Sequence, residues 1–201
     1  MDIWSGDILV MVSTPGFDPN AFNYGLSQDE WDRLVTDTRK PLTNKALSGQ
    51  YPPGSAFKMI VSLAALEAGI VNPGHRVFCP GEVELGNQTF HCWKRGGHGN
   101  MTMTSATEQS CDVYFYDVAR RTGIDKISEM AKRFGLGTAV DLGLGIERSG
   151  LMPSREWKLA RTGEQWQVGE TLITGIGQGF VLTTPAQLAL MTAQIANGGL
   201  R

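Results

Sequence analysis

Residues 49–58 read Gly49-Gln50-Tyr51-Pro52-Pro53-Gly54-Ser55-Ala56-Phe57-Lys58, and an apolar run (Met59, Ile60, Leu63, Leu66) follows at once. Proline fixes φ and glycine permits a sharp reversal, so Pro-Pro-Gly ahead of such a run predicts a helix N-terminus, with the helix continuing to about Gly69. Ser55 and Lys58 fall three residues apart, on one face of that helix. A serine hydroxyl is a poor nucleophile at neutral pH and needs a neighbouring base, which an amine at this spacing supplies. The helix N-terminus favours negative charge developing there, and favours the neutral form of the lysine. The same residues also describe a solvated helix face with an N-cap serine, so the rest of the chain has to decide between the two.

With 201 residues, 41% hydrophobic and 19% charged, the chain is long enough for one globular domain with its own core. A net charge of −2 gives no electrostatic reason to expect a nucleic acid partner. The uncharged stretch Met59 to Leu66 is far short of a membrane span. The opening Met1-Asp2-Ile3-Trp4 lacks the basic and apolar regions of a signal peptide. Ile8 to Ser13 alternates like a strand, and Ile3 to Asp7 ahead of it reads as a short strand and turn. At the other end, Thr184-Pro185 to Ile195 predicts a helix closed by Asn197-Gly198-Gly199. Those boundaries lead us to expect that residues 1–201 are a fragment of a larger domain, with part of its sheet missing.

Between these ends the pattern is mostly helical. A short helix is predicted around Gln28 to Asp37 within an otherwise irregular polar stretch, residues 21–48. Residues 72–100, rich in Gly, Pro, Cys and His, predict short strands at Val83 to Leu85 and Thr89 to Cys92. Helices follow at Thr104 to Gln109, Val113 to Arg121 and Ile124 to Phe134, the last ended by Gly135-Leu136-Gly137. Residues 138–170 read as loop-rich. The fold class expected is a helix-rich α/β (α+β) domain.

Two further groups of residues carry chemistry. Ser110-Cys111-Asp112 lies between two helical runs; the serine could relay a proton and the carboxylate could hydrogen-bond Lys58, or Asp112 could simply cap the helix starting at Val113. The three cysteines, with His98, make the pattern Cys79-x12-Cys92-x5-His98-x12-Cys111. Three thiolates and an imidazole form a complete tetrahedral zinc set. An odd count also permits a Cys79–Cys92 disulfide with Cys111 left over, or three unrelated thiols, and His75 and His91 compete for the histidine position. Gly175-Ile176-Gly177-Gln178-Gly179 has neither the Walker pattern nor a helix-opening Gly-x-Gly-x-x-Gly, so it predicts tight packing beside a cleft rather than a nucleotide site.

Taken together, these stretches resemble the transpeptidase domain of class B penicillin-binding proteins, in particular the elongation-specific type. The resemblance covers nearly the whole chain. It rests on Val12-Ser13-Thr14-Pro15-Gly16-Phe17-Asp18-Pro19-Asn20, Tyr51-Pro52-Pro53-Gly54-Ser55 with Lys58, Ser110-Cys111-Asp112, Glu147-Arg148-Ser149-Gly150, Pro153-Ser154-Arg155-Glu156-Trp157-Lys158, and Gly175 to Gly179 followed by Thr184-Pro185. It implies the penicillin-binding protein and serine β-lactamase fold. Ser55 is then the acylated nucleophile, its backbone N–H half of an oxyanion hole, Lys58 its proton acceptor and Ser110 the relaying serine. Asp112 stands where the family often has Asn. The implied reaction is cross-linking of D-Ala-D-Ala stem peptides of peptidoglycan, with β-lactams trapped as stable esters. The family's third motif, Lys-Thr-Gly or Lys-Ser-Gly, does not occur in these residues, in keeping with the fragment expectation.

The resemblance also implies a structural zinc. Some members bind zinc between the first two motifs, with the middle residue of the second motif, here Cys111, as a ligand. Cys79, Cys92 and His98 fall where the other ligands stand, although carboxylates often occupy the first two positions elsewhere. An anchored parent protein in the bacterial inner membrane, facing the periplasm, is implied too, with elongation-complex membrane proteins including a glycosyltransferase as partners. The competing readings are a serine β-lactamase or penicillin-sensing domain, and a non-catalytic zinc-stabilised binding module with an idle Ser55.

Overall fold

Residues 1–199 are described by the computed structural model. In chain order its helices are α1 (Asn20–Tyr24), α2 (Gln28–Thr36), α3 (Lys45–Ser48), α4 (Lys58–Glu67), α5 (Met103–Glu108), α6 (Asp112–Thr122), α7 (Ile124–Arg133), α8 (Arg155–Thr162), α9 (Val168–Gly175) and α10 (Pro185–Ala196). The strands are β1 (Arg76–Cys79), β2 (Glu82–Leu85), β3 (Gln88–His91) and β4 (Gly99–Thr102).

Helix α6 is the centre of the packing. Val113, Tyr114, Phe115, Tyr116, Val118 and Ala119 are all buried, and Asp117, Arg120 and Arg121 make up its polar side. Helices α4 and α9 pack against it, and α7 packs on α4. The approach of α9 is close: a Cβ on Gly175 would lie 2.4 Å from the Ala119 Cβ, so that position takes no side chain. Phe57, Ile60, Val61 and Ala65 of the α4 segment complete the core with Ile124, Ile127 and Leu136.

The strands form two antiparallel pairs, β1 with β4 and β2 with β3. In the first pair Cys79 lies opposite Gly99, and in the second Glu82 lies opposite His91. The β2–β3 hairpin matches the expected strands. The pairing of β1 with β4 spans the whole hairpin between them, so no local pattern announces it.

Three other expectations are corrected. Among the described residues no strand is formed over residues 3–13; Ile8, Leu9, Val10, Met11 and Val12 are an unbroken apolar run rather than an alternating one, and they are exposed with no neighbouring strand to pair. The loop-rich residues 138–170 also hold α8 and the start of α9, for which no helix was expected. Both helices are specified by caps, Ser154 accepting from the Trp157 N–H and Gln167 forming a reciprocal box with Glu170. Short α1 and α3 flank the expected α2. The closing helix, α10, starts as the sequence dictates, with Thr184 boxed to Gln187 and Pro185 in the first turn.

Two backbone ties carry the core's order to the Ser55 turn. Tyr51 and Thr183 exchange N–H···O bonds of 2.9 and 2.8 Å, and Leu151 and Leu182 exchange another pair. Below them the buried Gln187 amide nitrogen donates to the carbonyls of Gly135, Thr138 and Ser149, gathering the two ends of the α7–α8 connection at the foot of α10.

Candidate active site

The Ser55 turn is a 3₁₀ helix, Gly54–Phe57, that passes directly into α4 at Lys58. With three residues per turn, a 3₁₀ helix eclipses positions i and i+3, which lines Ser55 and Lys58 up along one edge of the turn. Gly54 enters it at φ +58° and donates its N–H to the Gly177 carbonyl at 2.9 Å. Gly177, at φ +72°, has no room for a side chain: a Cβ would sit 2.0 Å from the Gly54 carbonyl oxygen. The glycine-rich stretch therefore braces the turn from behind, as tight packing beside a cleft predicts.

Ser55 is exposed, whereas Lys58 is 1% exposed beneath it. Ser110 arrives from the end of α5 in the left-handed region, φ +53°, a conformation that L-residues adopt at a cost. Its hydroxyl oxygen lies 2.6 Å from the Ser55 hydroxyl oxygen. The Lys58 ammonium donates to the Ser110 hydroxyl and the Ser110 carbonyl, each at 2.9 Å, and to Asp112 Oδ1 at 2.7 Å. Those three bonds use all three ammonium hydrogens. Lys58 thus meets Ser55 through Ser110, a refinement of the direct contact expected from Ser55 and Lys58 alone.

The capping alternative for Asp112 does not hold. Helix α6 begins at Asp112 itself, with Cys111 at the N-cap position and no side-chain cap. The carboxylate is free to turn towards Lys58, and its second oxygen accepts the Trp93 backbone N–H at 2.9 Å. Trp93 was not singled out by sequence reasoning. Its indole N–H donates to the carbonyls of Gln109 and Ser110, both at 3.1 Å. The one sequence signal is a tryptophan immediately after Cys92, inside the cysteine–histidine pattern.

Beside this turn, Cys79, Cys92, His98 and Cys111 converge, with their ligand atoms all within 4.8 Å of one another. All three thiols are free, so the disulfide alternative is not what the structure contains. His98 Nδ1 lies 3.6 Å from the Cys79 sulfur and 3.5 Å from that of Cys92. A tetrahedral zinc with bonds of about 2.3 Å sets its sulfurs roughly 3.8 Å apart, so the four donors fit such an ion with small adjustment. Burial, and then Lys94, lower the His98 pKa, favouring the neutral imidazole that a ligand must be. Burial pushes the Cys111 thiol up to about 12, with Cys79 adding to it, so a thiolate there calls for a cation. The rival histidines are engaged elsewhere, His75 with Asp117 at 3.2 Å and His91 with Glu82 at 3.0 Å.

A cavity of about 790 Å³ is lined by Phe17, Leu42, Asn44, Ile146 and Arg148 among others, and includes none of these side chains. Chemistry rather than volume locates the site.

Comparison with known proteins agrees with this geometry. Residues 1–201 match the family model described as the penicillin binding protein transpeptidase domain. The chain is 40% identical over 198 residues to the peptidoglycan D,D-transpeptidase MrdA of Escherichia coli K12, covering 98% of this chain and 31% of the relative. It is 38% identical over 201 residues to MrdA of Haemophilus influenzae, covering 99% and 31%. Among solved structures it is similar to Pseudomonas aeruginosa PBP2 in complex with WCK 5153, with a TM-score of 0.92 and 46% identity over 98% of this chain and 45% of that one. It is also similar to PBP2 from Helicobacter pylori in its complex with MreC, with a TM-score of 0.94 and 40% identity over 98% and 37%. The chain spans about a third of the length of the curated relatives it matches.

Proposed function

The chain belongs to the penicillin-binding protein transpeptidase family, and on that premise we propose that it is the acyl-transfer part of a peptidoglycan D,D-transpeptidase with Ser55 as nucleophile. The observation that carries this reading is the exposed Ser55 hydroxyl, 2.6 Å from Ser110 and backed by buried Lys58. Ser55 Oγ attacks the carbonyl carbon of the penultimate D-Ala of a stem peptide. Its proton passes to the Ser110 hydroxyl, whose own proton moves on to the nitrogen of the departing D-Ala as the C–N bond breaks, while the Lys58 ammonium holds the Ser110 oxygen in line rather than taking the proton itself. The Ser55 N–H, at the start of the turn, supports the developing oxyanion. An amine from a second stem peptide then attacks the ester, returns the proton along the same path and leaves a cross-link. A β-lactam enters at the first step, and its ring opens to the same ester.

The location proposed with this chemistry is the periplasmic side of the inner membrane, where peptidoglycan is cross-linked. Among the described residues no helix is long and apolar enough to cross a membrane. The partners proposed are membrane proteins of the elongation complex, a glycosyltransferase among them, on the analogy of the PBP2–MreC complex.

For the metal, Cys79, Cys92, His98 and Cys111 would hold a zinc ion. Four protein ligands leave no open position, so zinc would supply a fixed structural node rather than an activated water. Cys111 lies between Ser110 and Asp112, and a ligand there steadies both of their side chains.

The test is a mass spectrum of the full-length protein with and without benzylpenicillin, alongside Ser55→Ala. A penicillin-sized increase lost in Ser55→Ala is expected. No adduct on folded protein overturns the nucleophile assignment, and rapid turnover of the penicillin points to a β-lactamase instead. Elemental analysis should find one zinc per chain, and its removal by a chelator should lower Tm by roughly 10 °C or more. Metal-free protein with an unchanged Tm would remove zinc from the account.

A further inference from the structure

We propose that Trp93 is a positioning residue for acyl transfer at Ser55, holding Ser110 and Asp112 where Lys58 can reach them. The inference rests on the acyl-transfer reading above. Its basis is a mirror relationship between Trp93 and Lys58. The Ser110 carbonyl accepts the Lys58 ammonium at 2.9 Å and the Trp93 indole N–H at 3.1 Å. The Asp112 carboxylate accepts Lys58 on Oδ1 at 2.7 Å and the Trp93 backbone N–H on Oδ2 at 2.9 Å. Trp93 and Lys58 thus bind the same two acceptors.

A carbonyl has two lone pairs and a carboxylate two oxygens, so the paired donors fix direction as well as position. The Ser110 turn needs that. Its backbone sits at φ +53°, and a residue in this region stays there only where its surroundings hold it. The Ser110 peptide is held in place by Lys58 on one side and by the indole on the other. If the indole bond is lost, the carbonyl can swing and the Ser110 hydroxyl leaves its 2.6 Å contact with Ser55. Trp93 is itself fixed from behind, its ring edge-on to His98 at 5.3 Å. The ring is otherwise 64% exposed, and burial in the core does not account for a large apolar side chain at this place.

Two substitutions isolate the N–H from the ring. Trp93→Phe keeps an aromatic without the donor, and replacement of Trp93 by 3-benzothienylalanine keeps the indole shape with sulfur in place of N–H. Both are made in the full-length protein and followed by stopped-flow acylation with a chromogenic cephalosporin, which separates the dissociation constant of the non-covalent complex from the acylation rate constant. Loss of a hydrogen bond that orients the relay should lower the acylation rate constant about 10-fold. The dissociation constant and Tm should stay near wild type, which general loosening of the fold would not allow.

A wild-type acylation rate in the benzothienylalanine protein overturns the inference while leaving Ser55 as nucleophile. An equal weakening of the non-covalent complex and the rate, with a lowered Tm, also overturns it, because Trp93 is then a structural residue. Absence of any acyl-enzyme in the wild type overturns the reading of the site itself and the inference with it.

Discussion

The hydroxyl oxygens of Ser55 and Ser110 lie 2.6 Å apart although 55 residues of sequence separate them. Lys58 joins this pair from the Ser110 side, so in the proposed acyl transfer Ser110 is the group through which the nucleophile's proton passes. Removing that hydroxyl should slow acylation by about 100-fold or more, within the usual range for general acid–base groups. Ser110→Ala and Ser110→Gly should lose activity alike. They should differ in stability, because alanine at φ +53° carries a strain of roughly 1 kcal/mol that glycine avoids. Acylation kinetics and denaturant titration check the two halves separately. Wild-type acylation in either variant would take Ser110 out of the proton path.

Asp112 and Lys58 form an ion pair in which the lysine side chain is 2% exposed. Truncating one partner of such a pair leaves a buried charge without its counter-ion, at about 3–5 kcal/mol. Asp112→Ala should therefore lose stability on that scale, whereas Asp112→Asn keeps an acceptor oxygen and should lose much less. The double variant Asp112→Ala with Lys58→Met should be more stable than the sum of the single changes implies. Additive losses would mean that the pair is not coupled in solution.

Gly177 and Gly163 offer a controlled comparison, since both have φ close to +73°. A Cβ on Gly163 meets nothing within 4 Å, while one on Gly177 meets the Gly54 carbonyl oxygen at 2.0 Å. Gly163→Ala should cost about 1 kcal/mol from backbone strain alone. Gly177→Ala should cost more and should also slow acylation, because the displaced atom belongs to the residue preceding Ser55. Equal losses of stability, with acylation unchanged in both, would show that the turn does not depend on this brace.

Lys158, buried between α8 and α9, donates to Glu170 at 2.6 Å and to the Gln165 carbonyl at 3.1 Å. The hydrogen bond to Glu170 raises its pKa above the ordinary 10.5. A raised pKa means stabilisation that is complete below the unfolded value and is lost as pH rises through the folded one. Thermal unfolding of wild type should therefore fall more steeply above pH 10.5 than that of Lys158→Met. Parallel curves in that window would contradict the assignment.

Much of the site could be read in the sequence because it is built from short spacings. Ser55 and Lys58 share a turn, Ser110 and Asp112 flank Cys111, and residue chemistry groups Cys79, Cys92, His98 and Cys111 without any knowledge of the path between them. What escaped is contact over distance. The pairing of β1 with β4 and the reach of Trp93 to the Ser110 carbonyl join segments that carry no mutual signal in a single sequence. The strand expected at Ile8 to Ser13 shows the opposite failure. Residues 8–12 are apolar and branched enough to suit a strand by composition, but a strand also needs a neighbour to receive its hydrogen bonds, and none of the described residues supplies one. Helices α8 and α9 were missed because glycines and charges around them obscured the period, although the caps were present.

Cys111 has its Cα about 3.8 Å from those of its two neighbours, Ser110 and Asp112, with only one rigid peptide plane on either side. A push on its sulfur is therefore a push on both groups that hold Lys58, with no slack to absorb it. On the readings proposed above, an inhibitor of acyl transfer need not imitate D-Ala-D-Ala. A compound that modifies the buried Cys111 thiol during a transient opening, or removes a zinc held there, would disturb Ser110 and Asp112 from behind Ser55.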